Sequence, residues 1–326
     1  MSKSKINYFQ ILFIASSFAI FCIIIVNPTT YLSSISKGIM LWATVILPGL
    51  IPFMFLSKIL ATMPYTYMST FALSKVTKKC FFTPKCSGYI YFMSILSGYP
   101  LGAKLTKDYF DDKQLTYSQA KKVVAFCSTS GPIFMIGSVG VSLLGSTRCG
   151  IIIFCSHILA SFINGFVFRG KKEKIAEVSS VKPEKSNDIL NESMYSTILS
   201  SMLVGGFITI TFLIIDILTN FGVIRTIGNI LDKVVFLERL PIGQYLSSGI
   251  IEVTRGCLDL SQSSLSLPLK TIVASGLTAF GGLSVHLQCM GFLSSIGIKY
   301  SYFLKTKLVH TLITVVLAIV FCIIMF

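Results

Sequence analysis

The sequence predicts an all-α polytopic membrane protein with about seven transmembrane helices and two re-entrant hairpins, arranged as an inverted repeat with broken helices. Three observations point there. The 326-residue chain is 53% hydrophobic and 13% charged, with mean hydropathy +0.78, whereas soluble domains carry about 25% charged residues. Its basic residues gather in alternate loops, and polar, helix-breaking motifs interrupt the apolar sequence at corresponding places in its two halves.

Apolar periodicity and length place spans at 8–26, 38–60, 117–145, 150–168, 194–218, 268–298 and 304–326. The first has 19 nearly unbroken apolar or small residues, enough to cross a hydrocarbon core about 30 Å thick. Lys3 and Lys5 give it a signal-peptide look, but it is long for such a segment. Asn27-Pro28 follows without a small-residue cleavage pattern, so an uncleaved helix is expected. An interfacial segment is expected near 62–75. Pro48 and Pro52 are expected to curve the second span. The resulting units are 1–36 (N-terminal helix), 37–168 (first repeat), 169–193 (basic linker), 194–303 (second repeat) and 304–326 (C-terminal helix).

Charge placement orients the spans. With the N-terminus inside, the cytoplasmic segments are 1–7, 58–122, 169–193 and 299–307, and they hold 21 of the 28 Lys and Arg residues. That is the positive-inside pattern, so the net charge of +15 does not point to nucleic acid. The linker alternates Lys171, Lys172, Lys174, Lys182 and Lys185 with acids and Ser. Nine cysteines lie singly without a C-x-x-C, which supports neither a disulfide framework nor a zinc site.

The short pieces 87–103 and 241–256 are apolar at their flanks and polar in the middle, and are expected to be re-entrant hairpins. The first contains Gly98 and Pro100, the second Ser248-Gly249. Breaks are expected in the neighbouring spans at Ser128-Thr129-Ser130-Gly131-Pro132 and at Gly281-Gly282-Leu283-Ser284. Non-helical backbone at bilayer depth persists only where it is buried in protein or lines a wet cavity. Such segments at matching positions of two halves point to a transporter's binding site. The halves echo each other in order: Gly38 to Leu41 with Ser200 to Leu203, Ser97-Gly98 with Ser248-Gly249, Lys104 with Arg255, and Ala125-Phe126 with Ala279-Phe280. In the seven-span topology the copies enter from opposite faces, one hairpin dipping from each.

Candidate substrate-binding residues lie around these breaks: Lys104, Ser130, Glu252, Arg255, Ser284, His286 and Gln288. Cations inside a membrane are costly unless they face a cavity or a partner. Glu252, three residues before Arg255, offers such a partner, which would make Arg255 an orienting residue. Half-helix N-termini at the breaks favour anions. His286 would bind substrate or relay a proton, whereas His157 and His310 read as packing residues. Asp216 is either a coupling-ion site or a helix cap near the outer interface. No Walker A loop, G-x-S-x-G, H-E-x-x-H or carboxylate pair in one break occurs, so neither an enzyme nor an ATP-driven pump is expected.

Ser97 to Lys104, Phe126 to Gly137, Glu252 to Gly256 and Phe280 to Gln288 closely resemble, in this order, blocks of the YlbJ (SpoVV) family of sporulation integral membrane proteins. The resemblance extends over almost the whole chain. That family is grouped with nucleoside-recognition or gate-domain proteins, related to concentrative nucleoside transporters. It implies gate-like repeats and a transport site lined by the four blocks. It also implies a role in endospore formation: moving dipicolinic acid from the mother cell across the outer forespore membrane. The partners implied are the lipid bilayer, dipicolinate and, as in relatives with paired hairpins, a homo-oligomer. No cofactor is expected; a coupling proton or sodium ion stays open. The rival expectations are a carrier of nucleosides or another small anion, and a non-transporting scaffold in spore morphogenesis.

Overall fold

The computed structural model describes residues 8–62, 70–172, 188–234 and 242–326, and among these the regular structure is helical. The interfacial expectation at 62–75 falls partly, and Lys3, Lys5, Lys174, Lys182, Lys185 and Arg239 wholly, outside the described residues.

Helix α1 spans Tyr8–Val26. Helix α2 (Pro28–Leu41) starts with proline at its first position, where the missing N–H costs no hydrogen bond. It continues through a π-helical stretch, Trp42–Ile46, into α3 (Leu47–Thr62), which carries Pro52 in its interior. The apolar run therefore starts ten residues before the expected span.

From there one order of elements occurs twice. The first copy runs α4 (Phe71–Phe81), the hairpin α5 (Cys86–Ser97) and α6 (Leu101–Asp111), α7 (Tyr117–Cys127), a break, a π-helical half (Ile133–Leu143), and the long α8 (Thr147–Val167). The second begins with α9 (Ile189–Asn220) and the short α10 (Val223–Val234). It continues with the hairpin α11 (Gly243–Ile251) and α12 (Val253–Ser261), α13 (Leu267–Phe280), a break, α14 (Gly282–Leu293) and the long α15 (Tyr300–Met325). Helix α10 was not expected. Both hairpins are longer than expected on their C-terminal arms: the charged segment after Lys104 is helical to Asp111 rather than a loop.

Start signals are explicit at several helices. Thr116 Oγ1 accepts from the Gln119 N–H at 3.2 Å, and the Gln119 side chain accepts from the Thr116 N–H at 2.9 Å, a reciprocal cap of α7. Thr116→Ala is expected to lower stability by about 1 kcal/mol, read as a reduced thermal midpoint with ligand binding intact.

Helices α8, α13 and α15 pack together at the centre. Around them the copies interlock. The half-helix α14 packs on the first hairpin's α6, and the half-helix Ile133–Leu143 packs on the second hairpin's α12. Each main apolar cluster draws on both copies: Ile90, Met93 and Phe126 with Leu293 and Phe303, and Met135, Val139 and Ile153 with Leu260, Ala274 and Leu277.

The polarity of α15 is turned inside out. Leu308, Leu312, Val316, Val320 and Ile323 face outward, while Thr306, Lys307, His310 and Thr314 are buried. An apolar outer stripe over a polar inner one is the pattern of a helix solvated by lipid. Among the described residues five helical stretches are long and apolar enough to cross a membrane: Pro28–Leu60, Thr147–Val167, Ile189–Asn220, Leu267–Ile296 and Tyr300–Met325. The chain is an all-helical polytopic membrane protein in contact with the bilayer.

Candidate functional site

Each hairpin tip sits against the helix break of its own copy, and glycine makes the approach possible. Gly98 has φ +72°, and a Cβ there would lie 2.5 Å from the Gly131 nitrogen. Gly282 has φ +71°, and its Cβ would lie 3.0 Å from the Val253 nitrogen. Any larger residue would meet both the left-handed conformation and a backbone wall.

Helix ends leave carbonyls without intrahelical partners, and at both breaks side chains supply donors. At the end of α7, Asn164 Nδ2 donates to the Ala125 carbonyl at 2.7 Å and Lys307 Nζ to the Ser128 carbonyl at 3.1 Å. At the end of α13, the Tyr99 hydroxyl donates to the Ala279 carbonyl at 3.4 Å and His286 Nε2 to the Phe280 carbonyl at 2.9 Å. A carbonyl only accepts, so His286 carries its proton on Nε2, and Nδ1 accepts from the Tyr300 hydroxyl at 3.2 Å. Lys307 Nζ also donates to the Tyr99 hydroxyl. Lys307 and Tyr99 together therefore connect the first break to the second.

Between the tips and breaks lies a cavity of about 90 Å³, room for several water molecules and small beside typical ligand sites of about 300–1,000 Å³. Ser97 to Tyr99 and Glu252 to Thr254 line it from the tips, with Ser130, Gly131 and Gly281 from the breaks. Ser284 and Gln288 line it from α14, and α3 and α9 supply an apolar wall including Phe53 and Phe207. Helix α14 begins at this cavity with no side chain capping its first turn, so its N–H groups and partial positive charge face the space. The first break differs: the Ser130 N–H is taken by His157 Nε2 at 3.0 Å.

Of the expected site residues, Ser130, Glu252, Ser284 and Gln288 line the cavity, as do the break residues Gly98, Gly131 and Gly281. Pro100 and Pro132 stand at the N-terminal boundaries of α6 and the Ile133–Leu143 half-helix. Glu252 is engaged locally: one carboxylate oxygen accepts the Arg255 N–H at 2.7 Å and the other the Thr254 hydroxyl at 3.1 Å. It caps α12 and does not pair with the Arg255 side chain.

Three expectations are corrected. Lys104 projects on the exposed face of α6 and is not among the cavity-lining residues. Arg255 is held by two carboxylates, Asp216 on α9 and Asp259 one turn along α12, each at 2.8 Å, over the Phe212 ring at 4.9 Å. It clamps α12 to α9, and Asp216 is its partner rather than an interfacial cap. His286 is buried against Phe280 and Phe303, with both ring nitrogens occupied at the end of α13. Its role there is to terminate a helix.

The residues missed were Tyr99 and Lys307. Counting 299–307 as a cytoplasmic segment put Lys307 in solution, whereas it is 1% exposed. The signal was present: Phe303, Thr306, Lys307, His310 and Thr314 share one helical face.

The chain is 29% identical, over 336 aligned positions covering 95% of its length and 81% of the relative's, to the sporulation integral membrane protein YlbJ of Bacillus subtilis (strain 168). No protein-family model matches it, and no solved structure matches it.

Proposed function

We propose that the chain is a member of the YlbJ family, to whose Bacillus subtilis protein it is similar over 95% of its length, and that it is a membrane carrier or facilitator acting in sporulation, with dipicolinate as its solute. In this reading it moves dipicolinate from the mother cell across the outer forespore membrane, and its copies are inverted with respect to the bilayer. The observation that carries the reading is the convergence of two hairpin tips and two helix breaks on one cavity between the copies, mainly apolar with a few polar groups from the tips and breaks. Interrupted helices arranged this way suit alternating access, because each copy can rock about a fixed site.

A carboxylate fits what the cavity offers. The uncapped start of α14 presents N–H groups and partial positive charge. The hydroxyls of Ser130 and Ser284 and the amide of Gln288 can donate to anionic oxygens, while Phe53, Phe207 and Tyr99 offer apolar or aromatic surface to a flat ring. At about 90 Å³ the cavity is tight for such a solute, so loading requires the tips and breaks to separate.

Equilibrium dialysis of labelled dipicolinate against the purified protein tests the site. Gln288→Leu is expected to weaken binding roughly threefold to tenfold, the worth of one net hydrogen bond, with an unchanged thermal midpoint. Binding unaffected by Gln288→Leu and by Ser284→Ala would remove the cavity as the site. Displacement of the label by uridine at equal concentration would favour a nucleoside carrier instead.

A further inference from the structure

Lys307 is a buried cation in an arrangement that lacks a counter-charge. Lys307 Nζ meets the Ser128 carbonyl and the Tyr99 hydroxyl and lies 4.6 Å from the Tyr99 ring centre. Two acceptors satisfy the two N–H bonds of a neutral amine, whereas an ammonium group has three.

The groups around it deepen the imbalance. The titratable side chains facing Lys307 are His157 from α8, His310 from its own helix, His286 and Cys289 from α14, and Tyr99 from the first hairpin tip. Helices α7 and α13 contribute no carboxylate to this region. The His157 and His310 rings meet edge to face with centroids 4.6 Å apart, and His310 Nε2 donates to the His157 carbonyl at 3.0 Å. His157 accepts the Ser130 N–H on Nε2, so its proton is on Nδ1, which is buried with no partner. With no carboxylate among these neighbours Lys307 is costly to charge until an anion arrives; Glu252, which lines the cavity, is hydrogen-bonded to the Thr254 hydroxyl and the Arg255 N–H.

Tyr99 joins the two regions. It lines the cavity with Ser97 and Gly98, while its hydroxyl accepts from Lys307 and donates to Ala279 at the second break. Anything that enters the cavity meets Tyr99, and displacing Tyr99 bares Lys307.

We propose that Lys307 takes up one proton when a carboxylate-bearing solute enters the cavity and returns it when the solute leaves, so that anion binding is coupled to protonation. A hydronium ion of the bulk solution delivers the proton to the lone pair of Nζ and leaves a water molecule; the resulting ammonium is neutralised by the carboxylate. On release the same proton returns to water, so no other reactant is consumed. The inference rests on the carrier reading above and adds how the site balances charge.

Proton uptake during dipicolinate binding, measured with a pH indicator in weakly buffered solution above the range where both carboxyls of the solute titrate, tests it. The wild type is expected to take up about one proton per anion bound, and its affinity to fall about tenfold per pH unit across the range in which that proton is taken up. Lys307→Arg, which stays charged at any working pH, is expected to bind without uptake and without that slope. Lys307→Met is expected to bind at least tenfold more weakly. Should it fail to fold, the wild type and Lys307→Arg still decide the matter. Wild-type binding without proton uptake, or uptake that persists in Lys307→Arg, overturns the coupling and leaves the carrier reading standing. A wild type that neither binds nor moves dipicolinate overturns both.

Discussion

Gly102→Val is expected to remove most folded protein from the membrane. Gly102 faces the end of α7, and an ideal Cβ there would lie 1.9 Å from the Cys127 carbonyl oxygen and 3.0 Å from Ser94 Cβ. The first distance is far inside any van der Waals contact, and the obstructing atom is backbone at the start of the break. It cannot swing aside as a side chain would. Relief requires the hairpin to withdraw from α7, which also removes the Gly98 to Gly131 contact beside the cavity. Overpacking of a core costs about 1–3 kcal/mol when side chains can adjust. With backbone on both sides the cost is expected to exceed about 3 kcal/mol. Size-exclusion chromatography of a fluorescent fusion reads the folded yield. A monodisperse peak of wild-type height would show that the hairpin does not seat on α7 as described.

Arg255→Ala is the second large effect, and it separates two roles for the same residue. As a solute ligand, Arg255 could be removed with loss of binding and little loss of stability. As the clamp seen here, its removal leaves the partly buried Asp216 and Asp259 side by side without their cation. The cost lies between that of a surface pair, about 0–1 kcal/mol, and that of a fully buried one, about 3–5 kcal/mol, so the variant is expected to lose stability and yield along with binding. Arg255→Lys is expected to restore only part, because one ammonium cannot reproduce a guanidinium that reaches two carboxylates through different nitrogens. Thermal unfolding followed by chromatography checks both variants. An Arg255→Ala protein as stable as wild type but unable to bind dipicolinate would return Arg255 to the solute site.

The backbone devices were legible in the sequence, while the partners of the charged side chains largely were not. Gly98, Gly131 and Gly281 stand out because glycine clusters there with proline or hydroxyl residues, a combination that interrupts a helix inside an apolar stretch; all three line the cavity. The doubled order of hairpin and broken helix was visible from the same signals. The hairpin arm α6 and the separate helix α10 were obscured because a charged, amphipathic helix of about three turns resembles a polar loop in a hydropathy reading.

The charged residues failed for a different reason, since their fate depends on partners distant in sequence. Asp259 stood one turn beyond Arg255 and was available to local reasoning, but Asp216 comes from another helix. His286 was assigned to the cavity because it follows a break. Yet a break also leaves the carbonyl of Phe280 in need of a donor, and that need claimed the ring. Lys307 was misplaced by a loop boundary drawn too far into α15, although the buried face it shares with His310 and Thr314 repeats at helical spacing.

In the proposed function the cavity between the two copies is the route of a small organic anion through the membrane. Dipicolinate flux into liposomes containing the purified protein, with empty liposomes and Gln288→Leu liposomes alongside, measures this. Saturable flux above the empty-liposome leak is expected, reduced in the Gln288→Leu protein. Flux no greater than the leak, from protein shown to be folded and inserted, would contradict it and leave a non-transporting role in sporulation.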